Sequence, residues 1–225
     1  RVFVVETQGG NCGYLATVGG LITGATTSYI PETGVRLEQI QRDVRHLRNR
    51  FSESKDCGLG CIVLRNEKCS KTYTTEVLSN ILREESEGLF DAKTSVLGHL
   101  LQGGTPSPLD RYRATRLAAK CVHGEHFVTP THRAKELRPT VFTPNMNSAT
   151  VIGIVSTEVG FTPIQKLIKE TDFKKRRSLR NWWLPVHDLV SLFAKYGMYP
   201  GEEQPYPSQQ RAEVLNTQDI KHMTK

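Results

Sequence analysis

The sequence predicts an α/β fold in which a mostly parallel sheet carries helices on both faces. Four times in the first 123 residues, a short apolar segment runs into a polar or glycine-containing turn and then into a helical pattern. The predicted strands are residues 2–6, 28–31, 61–65 and 94–97. Parallel neighbours need crossover connections, which helices supply, so four such units in a row indicate a parallel sheet.

A helical pattern follows each predicted strand. The first helix, 14–21, is small and apolar. The second has an apolar stripe at spacings of three and four residues, made by Leu37, Ile40, Val44, Leu47 and Phe51. The third turns an apolar face inward, made by Val77, Leu78, Ile81 and Leu82. The fourth, 110–122, follows a capping box with Ser107 as N-cap, Pro108 at the first helical position and Asp110 at the third.

The pattern divides the chain into four segments. Residues 1–123 form the α/β region that holds the candidate site, and the polar, proline-bearing residues 124–149 are typical of a variable surface loop. Residues 150–196 contain an antiparallel pair, 150–156 with 158–164, and a last amphipathic helix that packs back on the body. That helix carries Trp183, Leu184, Leu189, Val190 and Phe193. Residues 197–225 are predicted to be a mobile polar tail.

Composition indicates an intracellular globular protein. The chain has 225 residues, of which 37% are hydrophobic and 24% charged, and no apolar run approaches the roughly 20 residues that span a bilayer. No signal peptide is recognisable, so we expect a cytoplasmic protein without a membrane partner. The five cysteines lack paired metal-ligand spacing and are interpreted as reduced thiols, with no metal site.

The net charge of +7 raises the question of nucleic-acid binding. Basic residues are, however, interspersed with acidic ones, and no recognition motif or aromatic stacking platform is present. The densest basic run, 174–177, is compatible with a solvated helix end. We therefore expect no nucleic-acid partner.

Polar residues follow three of the predicted strands, at the ends where α/β sheets bind ligands. They are Gln8, Gly9 and Gly10 after the first strand, Asn66 and Glu67 after the third, and His99 with Gln102 after the fourth. Amides of a glycine turn suit an anion and a glutamate suits sugar hydroxyls, so a phosphosugar would satisfy both.

Simpler interpretations stay open at each of these positions. Gly9 and Gly10 need only make a tight turn, His99 need only be a buried structural histidine, and Glu67 need only be a surface acid paired with Lys68. No nucleophile, phosphate-loop or metalloprotease motif is present, and no acidic cluster suits phosphoryl transfer, so no catalytic residue is assigned.

Four segments closely resemble eukaryotic ATP-dependent 6-phosphofructokinases, in the same order and at similar spacing. They are RVFVVETQGGNCGYLA from position 1, IVLRNEKCSKTYTT from 62, VLGHLLQGGTPSPLDR from 96 and TDFKKRRSLRNWWL from 171. Subunits of that family consist of two similar halves. Gly10 and Gln102 stand where the catalytic half has phosphate-binding arginines, so the resemblance is to the C-terminal, regulatory half. In that half, the former substrate site binds fructose 2,6-bisphosphate as an activator.

The resemblance implies an effector site, carried over residue by residue. Its members are Arg1, Gln8, Gly9, Gly10, Glu67, Lys93, His99, Leu100, Leu101, Gln102 and Arg176. Arg1, Lys93 and Arg176 would attract the two phosphates. Lys93 replaces the family's usual arginine, and Leu101 replaces a glutamine. These two departures leave open an alternative in which the segment is a structural or assembly module that binds no ligand.

The resemblance also implies what surrounds this segment. The intact enzyme of glycolysis transfers the γ-phosphoryl group of ATP to fructose 6-phosphate with Mg²⁺, and the nucleotide loops and catalytic aspartates lie upstream of the matched region. The segment alone is therefore not expected to be catalytic, and its start at Arg1 indicates a piece of a longer subunit. Expected partners are the rest of that subunit and its copies in a homo- or hetero-oligomer, a tetramer or larger, whose neighbouring subunits complete the sugar site.

Overall fold

The structure is a computed structural model that describes residues 1–53, 60–123, 149–155, 157–199 and 201–202. These residues form two compact units. The first consists of Arg1–Gly103 with the described residues from 181 onward, and the second of Gly104–Arg180. The predicted segments 124–149 and 197–225 lie largely outside the described residues.

The first unit is built on a four-stranded, fully parallel sheet, which confirms the predicted fold class. The strands are β1 (Val2–Thr7), β2 (Thr27–Tyr29), β3 (Cys61–Asn66) and β4 (Ala92–Val96). Their order across the sheet is β2-β3-β1-β4. The connecting helices are α1 (Tyr14–Thr23), α2 (Leu37–Glu53) and α3 (Thr75–Glu84). A 3₁₀ turn, Gly98–Gln102, follows β4 and was not predicted.

Helices cover both faces of this sheet. Alternate residues of β1 and β3, such as Val4 and Val63, join the main core with the apolar stripes of α2 and α3. On the opposite face α1 approaches so closely that a Cβ at Gly19 would lie 3.4 Å from a methyl group of Leu64. A sixth helix, α6 (Leu184–Phe193), packs against α1 on that side.

The described residues of the second unit form two hairpins and two helices. They are α4 (Pro108–His123), β5 (Thr150–Val155), β6 (Glu158–Pro163), α5 (Ile164–Glu170), β7 (Thr171–Asp172) and β8 (Arg177–Ser178). The predicted antiparallel pairing of β5 with β6 is confirmed. So is the capping box of α4, because Ser107 Oγ accepts from the Asp110 amide at 3.1 Å and Asp110 Oδ2 accepts from the Ser107 amide at 2.9 Å.

Three local expectations were wrong. Val77 and Phe193 were predicted to face inward, but they are 38% and 66% exposed. The basic run 174–177 does not end a helix; it lies at the turn between β7 and β8. Helical periodicity marks one apolar face, whereas the actual burial depends on how far the neighbouring element extends over that face.

The residues that follow α6 are anchored to α2. The Tyr196 hydroxyl donates to Asp43 Oδ1 at 2.7 Å, and the Tyr29 hydroxyl of β2 donates to Asp43 Oδ2 at 2.6 Å. Further along, the Glu202 carboxylate accepts from His46 and Asn49, each at 3.1 Å. Because β2 is an edge strand, the segment that carries α6 and Tyr196 shields that edge from pairing with another chain.

Asp43 is the most strongly perturbed acid of this anchor. It is almost completely buried, and burial raises its pKa from 3.8 to about 6, although the hydrogen bonds from Tyr29 and Tyr196 oppose the rise. Since folding raises this pKa, the contribution of Asp43 to stability is full below about pH 3.8 and declines as pH rises through about 6. The two tyrosine hydroxyls therefore matter most when Asp43 is ionised.

We expect Tyr196→Phe to destabilise the chain more near pH 7.5 than near pH 5. The change removes a bond to a carboxylate, about 2 kcal/mol, at the higher pH and a bond to a neutral acid, about 1 kcal/mol, at the lower pH. The ring that stacks on His46 at 3.8 Å is retained. Urea unfolding followed by the fluorescence of buried Trp183 measures both values. Tyr199→Phe, whose hydroxyl does not bond Asp43, is the control. Equal losses at both pH values would contradict the expectation.

Candidate functional site

The carboxyl ends of three neighbouring strands bring the predicted site loops to one edge of the sheet. β1 and β3 pair in register up to Thr7 opposite Asn66, and the Glu67 amide donates to the Thr7 carbonyl at 3.0 Å. On the other side of β1, the Leu97 amide donates to the Glu6 carbonyl at 3.1 Å. The loops that follow β1, β3 and β4 therefore leave the sheet side by side, as the strand-end rule requires.

The centre of the site is a hydrogen bond between two of these loops. The Gly10 amide donates to Glu67 Oε1 at 2.9 Å, and Glu67 is half-buried. The alternative in which Glu67 is a surface acid paired with Lys68 is therefore not what the structure shows. The anionic group that this amide binds in the structure is the carboxylate of Glu67.

The two glycines of the turn have different roles. Gly9 has φ +140°, and a Cβ there would lie 2.6 Å from the Cys12 carbonyl oxygen and 2.9 Å from Asn66 Nδ2, so only glycine fits. Gly10 has φ +57°, yet a Cβ there would meet no atom within 4 Å. The steric explanation that we kept open accounts for Gly9, while Gly10 faces open space beside the Glu67 carboxylate.

A buried arginine, which sequence reasoning missed, supports the loop that carries Glu67. Arg65 is 3% exposed and donates to Glu6 Oε2 at 2.8 Å, to the Ser70 carbonyl at 2.7 Å and to the Tyr73 carbonyl at 3.0 Å. The Thr75 hydroxyl also bonds Glu6. The guanidinium thereby fixes the course of the chain from β3 to α3. Glu6 and Arg65 are opposite each other in the pairing of β1 with β3. The ion pair can therefore be recognised in the sequence only once these two strands are known to be neighbours.

The loop after β4 presents His99 to solvent. His99 Nδ1 donates to Gln102 Oε1 at 2.8 Å across the 3₁₀ turn, which packs beside β1. Its exposure contradicts the alternative of a buried structural histidine. Leu100 and Leu101 of the same turn are also exposed, at 80% and 41%. Gln8, at the end of β1, is half-buried.

Arg1 and Lys93 lie at the amino ends of the strands, the edge of the sheet opposite to the one that carries Glu67. Lys93 pairs with Phe3 near the start of β1, and Arg1 directly precedes that strand. At roughly 3.3 Å per strand residue, Lys93 is separated from Leu97 by about 13 Å along β4. Its ammonium group instead lies 3.0 Å from Asp91 Oδ2 and lowers the pKa of that acid. The structure does not bring these two cations to the Glu67 edge of their own chain.

The third predicted cation, Arg176, belongs to the second unit. It is exposed at the turn between β7 and β8, with φ +54°. A non-glycine residue in the left-handed region is uncommon. This turn is held by a bond from the Lys175 amide to Asp172 Oδ1 at 3.0 Å.

A cavity of about 830 Å³ lies elsewhere, along α2 and α6, and contains none of the predicted site residues. Its lining has three arginines, Arg36, Arg42 and Arg45, and four acids, Glu32, Glu38, Asp188 and Glu202. Charges of both signs are therefore interspersed along its wall. We therefore assign the candidate site to the strand ends, where the chemistry converges.

Metal ligands are not clustered in the described part of the chain, where no group of three or more His, Cys, Asp or Glu side chains could hold an ion. The residues present therefore do not fit the Mg²⁺ that the resemblance implies for the intact enzyme. Cys12, Cys61, Cys69 and Cys121 carry free thiols, and burial raises the pKa of Cys69 to about 11. Within the described residues, no helix is long and apolar enough to cross a membrane.

Comparisons with known proteins agree with the fold. The chain is 41% identical over 196 residues to the liver-type ATP-dependent 6-phosphofructokinase of Bos taurus, covering 87% of this chain and 24% of that protein. It is 42% identical over 200 residues to the ATP-dependent 6-phosphofructokinase of Aspergillus niger, covering 86% and 25%. It thus spans about a quarter of the length of these relatives.

Solved structures give the same result. Phosphofructokinase from Saccharomyces cerevisiae matches 87% of this chain with a TM-score of 0.74 at 32% identity, over 25% of its own length. The Pichia pastoris enzyme in the T-state matches 86% with a TM-score of 0.71 at 38% identity, over 22% of its length. The family model for phosphofructokinase matches residues 1–124. The chain therefore belongs to the phosphofructokinase family.

Proposed function

We propose that this chain is a regulatory part of an ATP-dependent 6-phosphofructokinase and that its strand-end site binds fructose 2,6-bisphosphate as an allosteric activator. The relatives named above are ATP-dependent 6-phosphofructokinases, which supports the parent activity. In the intact cytoplasmic enzyme of glycolysis, the γ-phosphoryl group of ATP passes to fructose 6-phosphate. ATP and Mg²⁺ would bind mainly outside this segment.

The observation that carries the proposal is the Glu67–Gly10 contact beside the His99–Gln102 pair. A carboxylate held at one position accepts hydrogen bonds from sugar hydroxyls, Nε2 of His99 accepts from a further hydroxyl, and the side-chain amide of Gln102 donates. Gly10 and Gln102 stand where the family's catalytic half has arginines. Without those fixed cations the catalytic geometry is lost, while recognition of the sugar is retained.

Arg1 and Lys93, two of the cations expected to bind the phosphates of the ligand, are not at this edge of their own sheet. A phosphate at Gly10 would face the Glu67 carboxylate, and like charges in contact repel. Arg1 and Lys93 lie at the other edge of the same sheet. We therefore propose that a neighbouring subunit of the oligomer supplies its Arg1 and Lys93 to the site. Arg176 is the third cation proposed for the site.

A second candidate is an assembly module without a ligand. The pairing of Lys93 with Asp91 and the exposed apolar side chains of Leu100 and Leu101 favour it. A measurement of stability with and without a sugar bisphosphate distinguishes the two candidates. A ligand at 100 times its Kd stabilises the protein that binds it by about 2.7 kcal/mol, whereas an assembly module shows no such shift with any sugar bisphosphate.

We expect Glu67→Gln, His99→Ala and Arg176→Ala each to weaken fructose 2,6-bisphosphate binding by about tenfold, because each removes a charged or hydrogen-bonding contact of about 1.4 kcal/mol. Calorimetric titration of the intact enzyme measures the affinities. Lys174→Ala removes a charge from the same exposed turn as Arg176 and is the control. Unchanged affinity in all three variants would reject the effector site. Loss of basal turnover in Glu67→Gln would indicate retained catalysis instead.

Mixed oligomers test the shared site. Subunits with Lys93→Ala and subunits with Glu67→Gln are each expected to bind weakly alone. Co-expressed, they are expected to form some sites in which the intact Glu67 of one subunit meets the intact Lys93 of the other. A class of sites with wild-type affinity would then appear in the titration. If no such class appears in verified hetero-oligomers, neighbouring subunits do not share the site.

A further inference from the structure

One buried side chain connects the two loops that form the centre of the strand-end site. Asn66 is the last residue of β3 and is fully buried. Its Nδ2 donates to the Cys12 carbonyl at 3.0 Å, in the loop after β1. Its Oδ1 accepts from the Lys68 amide at 2.8 Å, in the turn after β3. Both polar atoms of the side chain are thus bonded to main-chain groups of site loops.

The turn after β1 is shaped to admit this side chain. The missing Cβ of Gly9 leaves the space that Asn66 Nδ2 occupies, since a Cβ there would come within 2.9 Å of that atom. The Cys12 amide in turn donates to the Gly9 carbonyl at 3.0 Å, which closes the loop around the amide group. Gly9 and Asn66 are therefore sterically matched.

The residues that directly follow Gly9 and Asn66 in the sequence are both members of the site. Gly10 follows Gly9 and Glu67 follows Asn66, and these two are joined by the 2.9 Å hydrogen bond. Fixing the preceding residues fixes the direction of both groups before any ligand arrives. A binding group that is already ordered loses less conformational entropy on binding.

We propose that Asn66 is a positioning residue of this site, one that holds the Gly10 amide and the Glu67 carboxylate in the ligand-binding arrangement without touching the ligand. The inference rests on the proposed function, because it deepens the assignment of the same site. If Asn66 only filled a buried space, replacing it would lower the stability of the protein and leave the affinity for the ligand unchanged. A positioning residue acts through Glu67, so its effect on affinity depends on that carboxylate.

The test is a double-mutant cycle in the intact enzyme, titrated with fructose 2,6-bisphosphate. Asn66→Asp keeps the acceptor for the Lys68 amide but sets a carboxylate oxygen against the Cys12 carbonyl, and is expected to weaken binding about tenfold. In the Glu67→Gln background the same change is expected to weaken binding less than about threefold. Tyr196→Phe, which removes the bond from the segment after α6 to Asp43, is the matched control for lost stability.

An equal loss of affinity with and without Glu67, no loss of affinity at all, or the same loss in Tyr196→Phe would overturn the proposal. If Asn66→Asp does not fold, Asn66→Ala replaces it in the cycle, because it removes both side-chain bonds without adding a charge.

Hydrogen exchange without ligand separates this proposal from the proposed function. In Asn66→Ala the amides of residues 9–13 and 67–69 are expected to exchange faster than in the wild type, and in Tyr196→Phe they are not. Unchanged exchange in Asn66→Ala overturns the positioning role whatever binds there. Faster exchange in a protein that does not bind the bisphosphate rejects the effector assignment and leaves the positioning role standing.

Discussion

The parallel pairing of β1 with β3 is the constraint on which the candidate site depends. The register runs without interruption from Val2 opposite Cys61 to Thr7 opposite Asn66, so both strands end at the same level. The loops that follow must then leave the sheet together, and the amide of Gly10 meets the carboxylate of Glu67. A shift of one residue would turn the alternating side chains of β3 to the wrong faces, which removes them from the core. The same core packing that fixes the fold thus also fixes the site.

The ion pair between Glu6 and Arg65 belongs to this register. A buried arginine is costly unless its donors are satisfied, and here they bond Glu6, the Ser70 carbonyl and the Tyr73 carbonyl. The partner positions are defined only when β1 and β3 are correctly aligned. Replacing Glu6 alone would leave the buried Arg65 without its counter-ion. The pair therefore favours the native alignment over neighbouring registers, while its net contribution to stability is small compared with apolar burial.

The fold and the position of the candidate site at the strand ends could be predicted because their signals are local. Strand 2–6 was read from a continuous β-branched run, and Glu67 from its place after such a run. The contacts that complete the structure are not local. Arg65 and Glu6 are 59 residues apart in sequence, and Tyr196 and Asp43 are 153 apart. No pattern within a single segment encodes such partners, because they depend on strand order. For the same reason the sequence could not show that Lys93 and Glu67 lie at opposite edges, although Lys93 directly precedes the predicted fourth strand.

That separation has a consequence for regulation under the proposed function. One edge of the sheet carries an ordered carboxylate, which suits hydroxyl groups and repels phosphate, while the cations Arg1 and Lys93 stand at the other edge. A sugar bisphosphate needs both kinds of group at once. If a second subunit supplies the cations, the affinity for the ligand depends on how the subunits are arranged, since only some arrangements bring the two edges together. By linkage, the ligand must then favour those arrangements to the same degree. In that case the allosteric coupling follows from the direction of the strands, because parallel strands place the two halves of the site at opposite ends of each sheet.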